Sequence, residues 1–422
     1  MESNQLSAIQ QHSIPMANPG DGLDPVISAI SKQKYVLLGE SSHGTSEFYK
    51  IRSEITKRLV TEKGFTFIAV EGDWPECQEI NRYIKGYTDE YKNAREVLKS
   101  FKRWPTWMWA NEEIINLIEW LKVYNQGKQN EDKVGFYGID LYSLWESMDE
   151  ILKYLKERNS PDLEAAKKAF ACFEPFNREA EKYALSSAFY SEGCHEEVAQ
   201  LLTKISLNKH TYQDTQESSL NIEINALITA NAENYYTTMV TNDNESWNIR
   251  DRHMVEVLNK IDSFYSHRSK GIIWEHNTHV GDARATDMEN AGLVNVGQLL
   301  REQAGQENVF IVGFGTNHGT VIAASEWGVN FEKMITPPAV AGSWEDLLYR
   351  AGAHDKLLIF TEKNRNLFKH TIGHRAIGVV YNPDYERYGN YVPSSISERY
   401  DAFIYINKTN ALTPLEVSGV LI

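Results

Sequence analysis

Five short runs in this chain are apolar on both faces, and a helical pattern follows each one. They are KYVLLGE at 34–40, FTFIAVEG at 65–72, KVGFYGID at 133–140, GIIWEHN at 271–277 and NVFIVGFG at 308–315. A strand-length segment with no polar face meets water on neither side, which suits strands of a covered, mainly parallel sheet. The pattern therefore predicts an α/β fold with a mainly parallel central sheet flanked by helices. LLIFTE (357–362), IGVVY (377–381) and FIYIN (403–407) read as further strands near the C-terminus. Residues 143–268 break this rhythm, with helical periodicity and no convincing strand, and predict a helical insertion or subdomain between the third and fourth core strands. The expected organisation is residues 1–142 as the N-terminal part of the core, 143–268 as the helical region and 269–422 as the C-terminal part of the core.

Composition narrows the partners. The chain has 422 residues and a formal net charge of −15, from 58 acidic and 43 basic residues. That balance argues against a nucleic-acid backbone or an anionic membrane surface as the main partner. Its three cysteines, Cys77, Cys172 and Cys194, show no CxxC spacing and no even-numbered disulfide framework. The first residues lack the charged start and apolar run of a secretory leader, and no apolar run approaches the ~20 residues needed to span a bilayer. The expectation is a soluble, cytoplasmic protein. No heptad stretch specifies an oligomer.

In open α/β sheets, ligands bind beyond the carboxyl ends of the strands. Here the first strand ends in Glu40, with His43 three residues on; the second ends in Glu71 and the third in Asp140. The fourth ends in Glu275-His276, with His279 following, and the fifth leads into Asn317-His318. Parallel neighbours would gather these groups on one rim. Asp140 and Asn317 also suit simple helix capping, a role for which Glu40 and Glu71 are poorer residue types. The sequences SSHGT (41–45) and TNHGT (316–320) both follow strands and read as shared strand-to-helix turns.

Phe48, Ile51, Ile55 and Leu59 form an apolar stripe at helical spacing, ended by Gly64. Arg52 lies within that stripe. A buried arginine requires a carboxylate or an anionic ligand, and Glu40 and Glu71 are the candidates; the alternative is an arginine that snorkels out at the edge. His43 sits in a glycine-flanked turn at a helix start, poised as a proton carrier if a carboxylate holds one ring nitrogen. The HxxH spacing of His276 and His279 also suits metal ligands, though alone it is a weak signal. No GxSxG nucleophile elbow, P-loop or HExxH motif is present, and the glycines of GFGTNHG do not fit a dinucleotide fingerprint.

Two further segments are candidates for a ligand cleft. In RWPTWMWANEE (103–113), Trp107 and Trp109 suit stacking on a bulky ligand or burial in the core, while Glu112 and Glu113 open the next helix, where acids suit the dipole. In WNIRDRHM (247–254), Arg250, His253 and Met254 share a helical face; Arg250 would reach an anionic group or pair with a nearby acid.

Taken in order, GESSHGTSEF, VEGDWPE, WPTWMWANEE, NIRDRHM, WEHNTHVGDAR and GFGTNHGT resemble the erythromycin esterase family, from about Tyr35 to the C-terminal strands. The resemblance implies an α/β core with a helical insertion and metal-independent hydrolysis of a macrolactone ester by an activated water, without a covalent serine intermediate. It places the general base on His43, supporting acids on Glu40 and Glu71, the motif arginine on Arg52, a cleft glutamate on Glu112 and later histidines on His276 and His279. With Trp107, Trp109, Arg250 and His318 as substrate-binding candidates, the expected partner is a small-molecule ester, a macrolide among the candidates, with no cofactor. Relatives also carry the label succinoglycan biosynthesis protein. Two alternatives remain at this point. One is a hydrolase that holds a divalent metal on the same Glu/His cluster, although Arg52 would repel a cation unless both acids neutralise it. The other is a non-catalytic binding protein for a macrolide, sugar or haem.

Overall fold

The computed structural model describes residues 2–17, 22–190, 193–208, 217–418 and 420. Parts of the segments read above, residues 1 and 18–20 near the N-terminus and 191–192 and 209–216 of the helical region, lie outside the described residues. The strands are β1 (Ile14–Pro15), β2 (Tyr35–Leu38), β3 (Phe67–Asp73), β4 (Gly135–Asp140), β5 (Gly271–Trp274), β6 (Val309–Ala324), β7 (Phe331–Thr336), β8 (Lys356–Ile359), β9 (Thr371–Arg375), β10 (Tyr391–Ser395) and β11 (Ala402–Thr409). The helices named below are α1 (Ser46–Lys63), α2 (Glu112–Asn125), α3 (Leu144–Glu157), α4 (Ser218–Met239), α5 (Asp243–Tyr265) and α6 (Trp344–Arg350).

The chain forms two compact units. The first comprises residues 1–68, 83–135 and 269–422. Its sheet runs β1-β8-β11-β6-β2-β5, and the central pairings β11–β6, β6–β2 and β2–β5 are all parallel. Antiparallel pairing is confined to β1 and β8 at one edge and to β7, which folds back along the end of β6. All four residues of β2 and of β5 are buried, as strands covered on both faces require.

The second unit comprises residues 69–82 and 136–268. It contains most of β3 and β4, which are neighbours in the sheet order. Between β4 and β5 the described residues form helices and no strand. Leu144, Met148, Ile151 and Leu155 of α3 pack with Ile222 and Ala226 of α4 in one apolar core. No helix among the described residues is long and apolar enough to cross a membrane.

Three local expectations are corrected. NVFIVGFG is only the first half of a 16-residue strand: β6 continues through Asn317-His318 to Ala324, because β11 pairs with it at His318 and Gly319 and β7 pairs with it from Gly319 onward. TNHGT is therefore strand, while SSHGT is the turn into α1. IGVVY forms no strand. Ile377 donates its N–H to Ser41 O, and the strand lies earlier, at Thr371–Arg375, paired antiparallel with β10. Finally, Cys172 and Cys194 form a disulfide across a Cα–Cα distance of 5.9 Å. Their separation of 22 residues matches no sequence pattern, and folding of the helical region brings them together.

Candidate active site

The site in the first unit grows from the turn between β2 and α1. Gly39 and Gly44 bracket Glu40 and His43. A Cβ on Gly44 would stand 1.9 Å from Ile322 O, so the turn touches the β6 backbone at a point only glycine allows. The Gly44 carbonyl accepts from Ile322 N and Leu412 N. At the start of α1, Glu47 accepts from the backbone and side chain of Asn410, and Ser46 donates to Glu113. The turn is thus tied to β6, α2 and the C-terminal segment, which fixes what it carries.

It carries a chain of three buried groups. Glu40 Oε1 accepts from His43 Nδ1 at 2.9 Å, and Glu40 Oε2 accepts from Arg52 at 2.5 Å. Phe48, Ile51, Ile55 and Leu59 are buried as the stripe requires, and α1 ends at Gly64 with φ 70°. Arg52, at 1% exposure, lies over the rings of Tyr49 and Trp274, 4.5 Å from each centroid. Its guanidinium is thereby neutralised by one carboxylate and held in the corner of two aromatic rings set at 85° to each other. Of the two acids the sequence offered Arg52, Glu40 is its ion-pair partner.

His276 and His279 come from the turn after β5. The ring of His276 lies 4.9 Å from that of His43, tilted by 44°. His276 Nδ1 lies 2.8 Å from Thr278 Oγ1 and accepts from Thr278 N at 3.3 Å. Because that Nδ1 is an acceptor, the neutral ring carries its proton on Nε2. At His43 the Glu40 carboxylate is the acceptor, so its Nδ1 carries a proton. His279, buried, follows in the short helix Asn277–Val280. The turn is braced by Asn295, which donates to Thr278 O and Gly281 O. Among the described residues, no group of three His, Cys, Asp or Glu side chains is arranged to hold a metal ion.

The second unit holds a different cluster. Arg250 of α5 donates from Nε and Nη2 to both oxygens of Asp140, at 2.9 and 2.6 Å, and from Nη2 to Glu71 at 2.8 Å. Burial works against the charge on Asp140, but the adjacent guanidinium prevails and holds its pKa below the ordinary carboxylate value. Neighbouring His253 is fully buried, and burial pushes its pKa down to about 4. Asp140 suited a cap by its residue type. It accepts from Leu141 N, but its main partner is Arg250, a pairing across 110 residues that no local pattern reveals.

The remaining candidates lie elsewhere. Glu112 is half-exposed and paired with Arg95, whereas its neighbour Glu113 is buried against Ser46 and Thr413. Trp107 is wholly buried and Trp109 packs edge-on against Tyr49, 6.1 Å between centroids, so both are core residues here. His318 is part-buried in mid-strand beside Asn317, and burial together with Lys408 and Arg375 lowers its pKa.

The erythromycin esterase family model matches residues 60–409. Erythromycin esterase type II of Escherichia coli is 32% identical over 127 residues, 29% of this chain and 28% of that protein. A solved succinoglycan biosynthesis protein is 22% identical with a TM-score of 0.77, covering 98% of each chain. A mutant of the erythromycin esterase EreC in its open conformation is 15% identical with a TM-score of 0.63, covering 92% of this chain and 93% of that one. These two structures share the fold, and the family match spans both units described above. The chain belongs to the erythromycin esterase family, and that membership supports a hydrolase.

Proposed function

We propose that this hydrolase cleaves an ester bond with His43 as the general base, using water directly and no covalent serine intermediate. The observation that carries the reading is the contact of Glu40 Oε1 with His43 Nδ1 at 2.9 Å beside the His276 ring, 4.9 Å away between centroids. On these contacts we assign a proton acceptor at His43 Nε2 and, from the Thr278 N–H that reaches His276 Nδ1, a donor at His276 Nε2. One ring is set to take a proton and the other to donate a hydrogen bond.

The steps balance without a metal. Water gives a proton to His43 Nε2 as its oxygen bonds to the ester carbonyl carbon. The carbonyl oxygen becomes an oxyanion and accepts from His276 Nε2–H, with His279 in the same turn as a further donor. The imidazolium formed on His43 is stabilised by Glu40, whose charge Arg52 holds in place. Collapse of the tetrahedral intermediate breaks the ester C–O bond, and the proton on His43 passes to the leaving alkoxide. An acid and an alcohol result. Both Glu40 oxygens are engaged by His43 and Arg52, and Arg52 would repel a cation there, so the reading needs no divalent ion. Glu71 accepts from Arg250 at 2.8 Å.

Family membership makes a macrolactone the first substrate class to test. Purified protein incubated with a panel of macrolides and with p-nitrophenyl esters, with and without chelator, should add one water to at least one of them, equally in both conditions. Mass spectrometry reads the product. Activity abolished by the chelator would overturn the metal-free mechanism, and no product from any ester would overturn the esterase reading.

A further inference from the structure

Behind the His276 turn lies a polar cluster that the mechanism does not use. His374 at the end of β9, Glu345 of α6, Tyr400 and Asn277 are all wholly buried. His374 Nδ1 lies 2.5 Å from Glu345 Oε1, which also accepts from Arg375 N at 3.1 Å. His374 Nε2 lies 3.1 Å from Tyr400 OH and 3.2 Å from Asn277 Nδ2. A buried carboxylate and imidazole are costly compared with apolar packing of the same volume, so such a cluster marks a place where one arrangement must be specified.

The protons follow from the partners. Glu345 is acceptor-only when ionised, so His374 carries its proton on Nδ1 and offers a lone pair at Nε2. One Asn277 amide proton points to that lone pair, and the other goes to Phe314 O at 2.7 Å, while Asn277 Oδ1 accepts from Phe314 N at 3.3 Å. Flipping the amide would set an oxygen against Nε2 and against Phe314 O together, so only one orientation is satisfied. The Asn277 backbone reaches the catalytic side: its N–H donates to Glu40 O at 2.8 Å, and its carbonyl accepts from Arg399 at 2.8 Å. A Cβ on Gly39 would stand 2.1 Å from Asn277 Oδ1, so the amide is seated directly against the Glu40 turn.

We propose that His374, held by Glu345, is a positioning residue that locks the Asn277 amide and thereby fixes the turn carrying His276 and His279 against Glu40. It touches no substrate. Burial disfavours its charged form against the pull of Glu345, with Arg375 and Arg399 acting in the same sense as burial, so the neutral acceptor persists at neutral pH. The inference rests on the hydrolase reading for its effect on rate, though not for its geometry.

The test separates the two. In protein labelled with 15N-histidine, long-range 1H–15N spectra of the wild type should show His374 as the neutral Nδ1–H tautomer. Asn277→Asp, isosteric but without the donor, should shift the His276 and His279 ring signals. It should also lower kcat on p-nitrophenyl butyrate at least tenfold with KM within twofold. Tyr400→Phe, which removes only the competing donor, should do neither. An Nε2–H tautomer in the wild type, or unmoved His276 and His279 signals in folded Asn277→Asp, would overturn the proposal. If Asn277→Asp does not fold, the wild-type tautomer decides alone. If the wild type leaves every ester intact, the hydrolase reading fails while the spectra still decide this one.

Discussion

Glu40 divides its two carboxylate oxygens between His43 and Arg52, at 2.9 and 2.5 Å. One carboxylate therefore sets the tautomer of the base and neutralises a buried guanidinium. Glu40→Gln should lower kcat/KM by roughly 10²-fold, because the developing imidazolium loses its countercharge. It should also destabilise the fold by about 3 kcal/mol, because Arg52 keeps an uncompensated buried charge. Adding Arg52→Met should restore much of the stability and none of the activity. Thermal melts read beside ester hydrolysis check the split; recovery of both together would show that Glu40 is only structural.

Arg250 offers a test of geometry against charge. Its guanidinium serves Asp140 through two nitrogens and Glu71 through one of them, a fork that an ammonium cannot copy. Arg250→Lys should lose about 2 kcal/mol despite keeping the charge. Arg250→Met should lose about 3–5 kcal/mol, because buried Asp140 loses the guanidinium that holds its charge. Urea denaturation followed by circular dichroism measures both.

The helix α2 separates two adjacent acids. The Glu112–Arg95 pair is solvent-exposed, and exposed pairs contribute about 0–1 kcal/mol. Glu112→Gln should leave the melting temperature and hydrolysis nearly unchanged. Glu113→Ala should destabilise by about 1–3 kcal/mol, since the donors on Ser46 and Thr413 lose their acceptor. A large activity loss in Glu112→Gln with stability intact would give that residue a role at the substrate.

His253 predicts a pH dependence with a definite sign. Its pKa is about 4 in the folded protein and about 6.5 unfolded, so between those values the unfolded chain binds the extra proton. Its contribution is complete above pH ~6.5 and is lost as the pH falls towards ~4, by about 3 kcal/mol in all. His253→Asn retains an acceptor for Asn231, which now donates to His253 Nδ1 at 2.9 Å, and removes the titration. Melting temperatures over this range should fall less steeply in the variant than in the wild type.

What the sequence made legible was whatever depends on local periodicity. The stripe of α1, its stop at Gly64 and the burial of Arg52 follow from helical spacing, and burial of the charge then demands a partner such as Glu40. The apolar runs likewise announce the covered strands. Relations set only by tertiary packing were not legible. The ends of β3 and β4 meet Arg250 of α5 through a fold whose closure no window of residues records. Glu112 and Glu113 differ by 100° around a helix, so the buried one is known only once the packed face is known. His318 lies in mid-strand because β11, far along the chain, pairs with β6 at His318 and Gly319, and β7 folds back to pair with it from Gly319 onward.

The central claim is that His43 takes the proton from the attacking water. The most direct measurement is kcat/KM for ester hydrolysis by wild type and His43→Ala, with circular dichroism melts on the same samples. The account predicts a loss of about 10²–10⁴-fold in a variant that still folds. Wild-type hydrolysis by a folded His43→Ala protein would contradict it.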